Sequence, residues 1–440
     1  MGDRIELPPL HEERLPNGLE VVVARRPGVP LVAVRLVLPA GSALDPVRGE
    51  GLASLVVQCA RRGTKARSGR EIDEAAEALG AELGASADED SSGFGISAPA
   101  ESLAPLLDLV LEVATSPSFP AKEVDRIRRR EAAGLANLLD EPGAVADRAM
   151  LRAAYGAHPY AHAPDGRMRH LARLQRADLV AFHRRYFGAP GATLVLVGAV
   201  DPEKALALAR RRLAGWKGAD SPPPVPPAPE PGSRRVVVVD KPDATQVQVR
   251  IALPAIARSS PEYIPAVVAN AVFGGGFTSR LMEAIRVNRG LSYGVRSRFA
   301  TSRAGGLFFV SSFTKTATAG ELVEVALEEA RRYCDGGPGA EELERAKAYL
   351  AGLYPLSLET HDQLAEKLAD LRLFGLPVEH VTEYRERVRA VTADECLAVA
   401  RRHFPLDGRG VVVAVGPARD VAPQLERFGP VEIVPAKQVV

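Results

Sequence analysis

Residues 221–232 read SPPPVPPAPEPG, and seven of these twelve residues are proline. Proline has no backbone N–H to donate to a sheet or a helix, and a run of prolines favours an extended polyproline helix. The segment therefore predicts a stiff linker. Because it lies almost at the middle of a chain of 440 residues, it prompts a search for similar halves on its two sides.

Segments on the two sides of the linker repeat at a nearly constant spacing. Residues 21–23 (VVV) correspond to residues 236–238 (VVV), which lie 215 positions later. Near the ends of the halves, residues 184–187 (RRYF) correspond to residues 401–404 (RRHF), which lie 217 positions later. Ordered matches at a slowly drifting spacing indicate two homologous halves.

Each half begins with β-branched segments, continues with helical segments and closes with one more strand. Alternating segments such as Leu31–Leu38 are typical of half-buried antiparallel strands, and residues 69–79 (GREIDEAAEAL) have helical periodicity. This order predicts an α+β fold in which each half is an antiparallel sheet with helices packed on one face. The predicted boundaries are residues 1–220 for the first half, 221–232 for the Pro-rich linker and 233–440 for the second half.

Composition excludes several classes of protein. Lys and Arg number 56 against 55 Asp and Glu, whereas proteins that bind nucleic acid or a membrane surface carry a clear basic excess. The three cysteines, Cys59, Cys334 and Cys396, have no CxxC spacing, so neither a disulfide framework nor a thiolate zinc site is expected. We expect a soluble chain with no nucleic-acid or membrane partner, in the cytoplasm or, after removal of a leader, in the periplasm.

Metal and nucleotide motifs are missing from the sequence. Neither HExxH nor HxxEH occurs. The best histidine pair is His158 and His162 in HPYAH, where Pro159 favours a loop that does not place both rings on one helix face. The run of glycines at 274–276 lacks the Lys-Ser/Thr of a phosphate-binding loop, so either a positive φ or a close backbone approach explains it better.

Residues 274–295, GGGFTSRLMEAIRVNRGLSYGV, contain two candidate functional side chains. Gly290 is suited to end the helix that this segment predicts. Arg286 falls in the last turn of that helix and Tyr293 follows the stop, so a chain reversal would bring guanidinium and phenol together. Both groups are donors suited to a peptide carbonyl or a developing oxyanion. A surface arginine and a packed tyrosine remain the competing explanation.

A series of short motifs runs along nearly the whole chain. They include residues 15–19 (LPNGL), 63–64 (GT), 158–159 (HP), 178–183 (DLVAFH) and 274–281 (GGGFTSRL) with the following RGLSY. In this order the motifs resemble those of the pitrilysin/insulinase family of zinc peptidases. The sequence is most similar to the small members, namely mitochondrial processing peptidase subunits, respiratory-complex core proteins and bacterial relatives. This resemblance implies subunits of two homologous α+β halves, which associate in pairs around a chamber for an unfolded peptide.

The zinc motif of active family members is degenerate in this chain. Counted back from residues 63–64, the HxxEH window places Ser54 and Gln58 at the ligand positions and Val57 at the position of the general base. The third ligand position falls at Gly134. Catalytic zinc needs three protein ligands and a base that can take a proton from its water. We therefore expect that this chain binds no zinc and is inactive alone.

The resemblance also implies that the second-half pair is retained. In active relatives an Arg and a Tyr seven residues later, matched here by Arg286 and Tyr293, bind the substrate backbone and stabilise the tetrahedral intermediate. The combination predicts the non-zinc subunit of a heterodimeric peptidase, whose HxxEH-bearing homologous partner holds the zinc. The alternatives are a homodimer, an inactive structural or peptide-binding homologue, and a zinc enzyme with ligands from His158, His162 and Glu131.

Overall fold

A computed structural model describes residues 4–216, 218, 222–405 and 408–440, so the predicted boundary residues 220 and 221 lie outside the described part. The strands are β1 Leu10–Arg14, β2 Glu20–Arg25, β3 Leu31–Leu38, β4 Gly84–Ala87, β5 Ser92–Pro99, β6 Thr193–Gly198, β7 Arg235–Asp240, β8 Val247–Ala255, β9 Val295–Ser302, β10 Gly305–Thr314, β11 Val411–Gly416 and β12 Val431–Pro435. The α-helices are α1 Leu52–Ala60, α2 Gly69–Glu77, α3 Leu103–Thr115, α4 Ala121–Asn137, α5 Pro142–Tyr155, α6 Met168–Leu171, α7 Arg176–Tyr186, α8 Pro202–Leu213, α9 Tyr263–Asn270, α10 Ala319–Gly336, α11 Ala340–Leu353, α12 His361–Leu373, α13 Glu379–Thr382, α14 Tyr384–Ala390, α15 Ala393–His403, α16 Ala418–Leu425 and α17 Ala436–Val439.

The chain folds into two compact units, each built on a six-stranded sheet. The sheet orders are β1-β2-β6-β3-β5-β4 and β12-β7-β11-β8-β10-β9. Apart from the first strand of each order, the strands of the two sheets have the same spatial order, in which β2, β6, β3, β5 and β4 correspond to β7, β11, β8, β10 and β9. The register agrees as well, because Val23 pairs with Leu196 in one sheet and Val238 pairs with Ala414 in the other. The α+β class and the internal repeat are therefore confirmed.

Both sheets are mixed, whereas the sequence predicted antiparallel ones. Strand β2 runs parallel to β6, and β7 runs parallel to both β11 and β12. Every residue of β6 and β11 is buried, and the valine runs of β2 and β7 are buried as well. A strand that is covered on both faces is a continuous apolar run rather than an alternating one. The runs of valine that revealed the repeat are this kind of strand.

Helices cover both faces of each sheet, whereas the sequence predicted helices on one face. In the first unit α12 packs on β3 and β6, and in the second unit α5 packs on β8 and β11. Helix α5, which precedes the Pro-rich segment, belongs to the second unit, and α12, which follows it, belongs to the first unit. The first unit contains Met1–Ala133, Ala163–Pro224 and Tyr354–Glu383, and the second contains Gly134–His162, Val225–Leu353 and Tyr384–Val440. An amphipathic pattern indicates that one face of a helix is buried, but it does not indicate which sheet that face packs against.

Part of the Pro-rich segment is held against the second unit. The backbone N–H of Ala228 donates to the carbonyl of Ala304 at 2.8 Å, and Nε2 of His158 lies 2.8 Å from the carbonyl oxygen of Pro226. Residues of the predicted linker from Val225 onward therefore belong to a packed unit. Within the described part of the chain, the helices fall short of the length and apolarity needed to cross a membrane.

An aromatic cluster forms the centre of the second unit. The ring of Phe404 lies 4.4 Å from that of Phe273 and 4.7 Å from that of Phe308, measured between centroids. Tyr333 packs at 5.4 Å from the same ring. Phe404 is the last residue of the RRHF motif and is fully buried. Since Phe273 directly precedes the glycine run, this cluster supports the segment that carries Arg286.

Candidate functional site

Arg286 and Tyr293 line the same cavity of the second unit. The cavity has a volume of about 660 Å³. Aromatic side chains at its wall are unusually exposed: 75% of Phe277, 83% of Tyr293 and 56% of Tyr349 is accessible. Large exposed aromatic side chains around an opening are typical of a surface that binds a ligand.

Arg286 lies on a π-helical turn, Met282–Val287, which is wider than an α-helical one. The N–H of Asn288 donates to the carbonyl of Glu283 at 2.9 Å, five residues earlier. Such turns are frequent at functional sites. The turn buries Met282 and leaves Arg286 half-buried, with its guanidinium 4.9 Å from the centre of the Phe277 ring.

The chain reverses after Arg286 at Gly290, which has a positive φ of 59°. The N–H of Leu291 donates back to the carbonyl of Ile285 at 2.9 Å, which closes the turn. A φ in this range favours glycine. The reversal predicted from the sequence is therefore present between Arg286 and Tyr293.

The backbone around Tyr293 is anchored on both sides. The hydroxyl of Thr314 donates to the carbonyl of Leu291 at 2.7 Å, and the hydroxyl of Ser312 donates to the carbonyl of Gly294 at 2.9 Å. These bonds fix the loop on the adjacent strand β10. The Tyr293 phenol projects from a fixed backbone, so little ordering is needed when it meets a ligand.

The polar ends of the two side chains are available for a ligand. Among the residues that the structure describes, neither the guanidinium of Arg286 nor the phenol of Tyr293 has a hydrogen-bond or ion-pair partner. Arg286 offers five N–H donors and Tyr293 one O–H donor. Together they are suited to bind the carbonyl oxygens of a peptide.

The glycine run is packed closely against strand β9. A Cβ atom at Gly274 would lie 2.7 Å from Cδ1 of Leu281 and 3.0 Å from Cβ of Ser297. The side chain of Asn270 holds this region by donating to the carbonyl of Ser297 at 3.1 Å and by accepting from its hydroxyl at 2.7 Å. A close approach thus explains Gly274, which is one of the two explanations that the sequence left open; the other is excluded because Gly274 has no positive φ.

We expect Gly274→Ala to destabilise the chain by about 1–3 kcal/mol, because a methyl group at this position overlaps packed side chains. Gly276→Ala is the matched control, since its Cβ would lie 3.6 Å from the carbonyl oxygen of Ala271, an ordinary contact. Urea unfolding followed by circular dichroism measures both. Equal midpoints for the two variants would contradict the packing described here.

The degenerate zinc window lies on α1 and does not fit a zinc site. Val57 is fully buried and its side chain has no polar atom, and Nε2 of Gln58 donates to the carbonyl of Ala85 at 3.3 Å. Burial raises the pKa of the neighbouring Cys59 thiol to about 12, so it is not available as a thiolate. Ser54 is partly buried on the same helix. These side chains offer neither three ligands nor a base.

The other candidate metal ligands do not supply a site. Gly134 lies on α4, where a side chain would meet open space, and Glu131 pairs with Arg130 at 2.5 Å. Both ring nitrogens of His158 are used, because Nδ1 accepts from the N–H of Tyr160 at 3.1 Å and Nε2 contacts Pro226. Within the described ranges, no three His, Cys, Asp or Glu side chains are grouped to hold a metal ion.

Two arginines near the pair were missed by sequence reasoning. Arg250 on β8 and Arg296 on β9 line the same cavity as Arg286. The available signal was alternation, since Gln248 and Arg250 interrupt the apolar strand β8 at every second position. Such positions share one face of a sheet.

Two family models match the sequence in separate regions. Residues 20–163 match the model described as insulinase (peptidase family M16), and residues 173–350 match the model described as the peptidase M16 inactive domain. Together with the two mixed sheets, these matches define the class: the chain belongs to the peptidase M16 family, which confirms the resemblance found in the sequence.

Relatives match over nearly the whole chain. An uncharacterised zinc protease of Streptomyces coelicolor is 24% identical and covers 92% of this chain and 89% of its own. The mitochondrial-processing peptidase subunit beta of Saccharomyces cerevisiae is 24% identical, with 93% and 92% covered. The crystal structure of a peptidase M16 inactive domain from Pseudomonas fluorescens is 27% identical, has a TM-score of 0.87, and covers 93% of this chain and 98% of its own.

Proposed function

We propose that this chain is the non-zinc subunit of a heterodimeric metallopeptidase. In this proposal Arg286 and Tyr293 act on a peptide in the site of a homologous partner chain that carries HxxEH and zinc. The observation that carries the proposal is that both side chains line one cavity with free donors, while α1 does not fit zinc. A peptidase subunit among the relatives supports the assembly of two different chains.

The chemistry assigned to the pair is electrostatic. The planar guanidinium of Arg286 binds a carbonyl oxygen of the substrate backbone and holds the scissile bond in place. The Tyr293 hydroxyl donates to the oxygen that becomes negative when water adds to the carbonyl carbon. A donor aimed at this oxygen lowers the barrier more than it tightens substrate binding.

The absence of a base on α1 explains why a partner is needed. Water attack on a peptide requires a group that removes its proton, and Val57 has none. No step of hydrolysis is assigned to residues of the first unit for this reason. The partner supplies the metal, the water and the base, and this chain supplies the two donors.

The experiment is to express this chain with a zinc-bearing homologue from the same genome and to assay an unstructured fluorogenic peptide. We expect a stable complex with one zinc for each pair of chains and cleavage only when both chains are present. Each chain alone, at the same concentration, is the control. Stoichiometric zinc in this chain alone, or cleavage by it alone, would overturn the proposal.

A complex that binds peptide without cleaving it favours the structural or peptide-binding alternative. The same alternative is favoured if this chain forms stable homodimers that bind the peptide and forms no complex with any zinc-bearing homologue. Size-exclusion chromatography with light scattering separates the two assemblies, and the peptide assay is then run on each peak.

A further inference from the structure

The cavity that holds Arg286 and Tyr293 has a one-sided charge. Its lining includes Arg250, Arg286 and Arg296, and none of the residues that line it in the described part of the chain is Asp or Glu. The rest of the wall is glycine, serine, Gln248 and apolar or aromatic side chains. Charges of one sign beside low-dielectric walls focus the field on the cavity.

Two of these arginines stand in one row across the sheet. In the register of β8, β10 and β9, Arg250 pairs with Ser311 and Ser311 pairs with Arg296. Directly paired residues point to the same face, and two strand spacings place the rows of Arg250 and Arg296 about 10 Å apart. Helix α5 covers this face over β8 and β11. Arg296 on the edge strand β9 is exposed.

The charge of Arg250 is balanced within the unit. Its Nε donates to Oδ1 of Asp147 at 2.6 Å and its second amino group donates to the carbonyl of Gly143 at 3.2 Å. Only 6% of Arg250 is exposed. Its role is to fix α5 on the sheet, so it is not the group that meets a ligand.

Arg296 and Arg286 carry charges that no carboxylate balances among the described residues. The nearest acidic residue of the same turn, Glu283, lines a separate cavity together with Arg280 and Glu342. Two unbalanced cations beside exposed aromatic rings repel basic peptides and attract carboxylates, which an arginine binds with two parallel hydrogen bonds.

We infer that this cavity selects acidic peptide segments and that Arg296 determines the selection by binding an Asp or Glu side chain of the substrate. The inference rests on the proposed function for the assignment of the cavity to a peptide. Arg286 and Tyr293 meet the peptide backbone, which every sequence shares. Arg296, three residues after Tyr293 on the adjoining strand, meets a side chain, which differs between sequences.

The test uses three unstructured fluorescent peptides that differ only at two adjacent positions, which are Glu, Gln or Lys. Binding to this chain is measured by fluorescence anisotropy at low and high salt. We expect the Glu peptide to bind about fivefold more tightly than the Gln peptide and the Lys peptide to bind most weakly. The difference shrinks at high salt, because screening acts on charges and not on shape.

Arg296→Gln is expected to remove the preference for the Glu peptide, because the affinity for the Glu peptide falls far more than the affinity for the Gln peptide. Arg298→Gln is the matched control, since Arg298 is an exposed residue of the same strand outside the cavity lining. It removes the same charge and should keep the preference. Arg296→Glu should reverse the order of the three peptides.

Equal affinities of the wild-type chain for the three peptides would overturn the inference. An equal loss of the preference for the Glu peptide in Arg296→Gln and Arg298→Gln would also overturn it. This failure is separate from failure of the proposed function. Cleavage by the complex that depends on Arg286 but ignores peptide charge leaves the proposed function standing. A charge preference in peptide binding, with no cleavage by any complex, leaves the charge selection by the cavity standing and contradicts the proposed function.

Discussion

Replacing Arg286 by Ala, or Tyr293 by Phe, is expected to lower the turnover number of the proposed heterodimer by about 10²–10³-fold, the usual effect of removing one donor to a developing oxyanion. The zinc content and the assembly of the proposed complex should stay unchanged, because neither side chain belongs to the buried core of this chain. The two side chains project into the cavity, and Tyr293 is 83% exposed. The effect should appear in kcat more than in KM for Tyr293→Phe.

Two control variants separate this effect from general damage. Arg289→Ala removes a cation three residues after Arg286 that lies 3.6 Å from Glu321 and 3.7 Å from Glu328, outside the cavity lining. Tyr186→Phe, the control for Tyr293→Phe, removes a phenol hydroxyl from the first unit. Both complexes should keep nearly full turnover. If Arg286→Ala and Tyr293→Phe behave like these controls, the pair is residual and the assignment fails.

Phe404→Ala is expected to cost about 3–5 kcal/mol of unfolding free energy, because a fully buried ring leaves a cavity that its neighbours cannot fill. Its ring contacts those of Phe273 and Phe308, and this cluster underlies the glycine run and the turn of Arg286. Urea unfolding followed by circular dichroism measures the loss.

Phe277→Ala is the matched control for this prediction, since 75% of Phe277 is exposed in the same unit. We expect a loss below about 1 kcal/mol for it, as for most surface substitutions. A small loss in Phe404→Ala would contradict the account of the core. Because Phe404 closes the RRHF motif, such a result would also weaken the physical reason for the repeat.

The repeat and the fold class could be predicted because they depend on local runs of residues. The valine segments lie at equivalent places of the two sheets, and the two RR-aromatic-Phe motifs lie at the ends of helices α7 and α15. The direction of β2 and β7 could not be predicted from alternation, since both strands are buried on two faces and alternate on neither. Their continuous valine runs are the signal that indicates such a strand.

The exchange of α5 and α12 was not predictable from the sequence. Each helix buries several apolar side chains, and their spacing contains no information on which sheet they pack against. The salt bridge from Arg250 to Asp147 fixes α5 in place, and the two partners are 103 positions apart in the sequence. No spacing rule relates residues that lie so far apart in the sequence, so this contact could not be predicted.

At the candidate site, the turn was predictable and its surroundings were not. Gly290 and the spacing of Arg286 and Tyr293 indicated a reversal, and the structure has one. Arg296 could not be recognised as part of the cavity, because its position depends on strand register across β10. The roles of Arg286 and Tyr293 stay a prediction, as do the zinc-motif positions Ser54, Val57, Gln58 and Gly134.

In the proposed complex one active site is divided between two chains, and subunit exchange tests this division most directly. One complex combines the partner whose HxxEH glutamate is changed to Gln with this chain unaltered. A second complex combines the unaltered partner with this chain carrying Arg286→Ala and Tyr293→Phe. Each complex alone is expected to be nearly inactive. Mixed under conditions in which subunits exchange, they should regain peptide cleavage, because unaltered chains then meet in one dimer. Failure to regain cleavage, after exchange has been verified by mass spectrometry of the dimers, would contradict this division of the site.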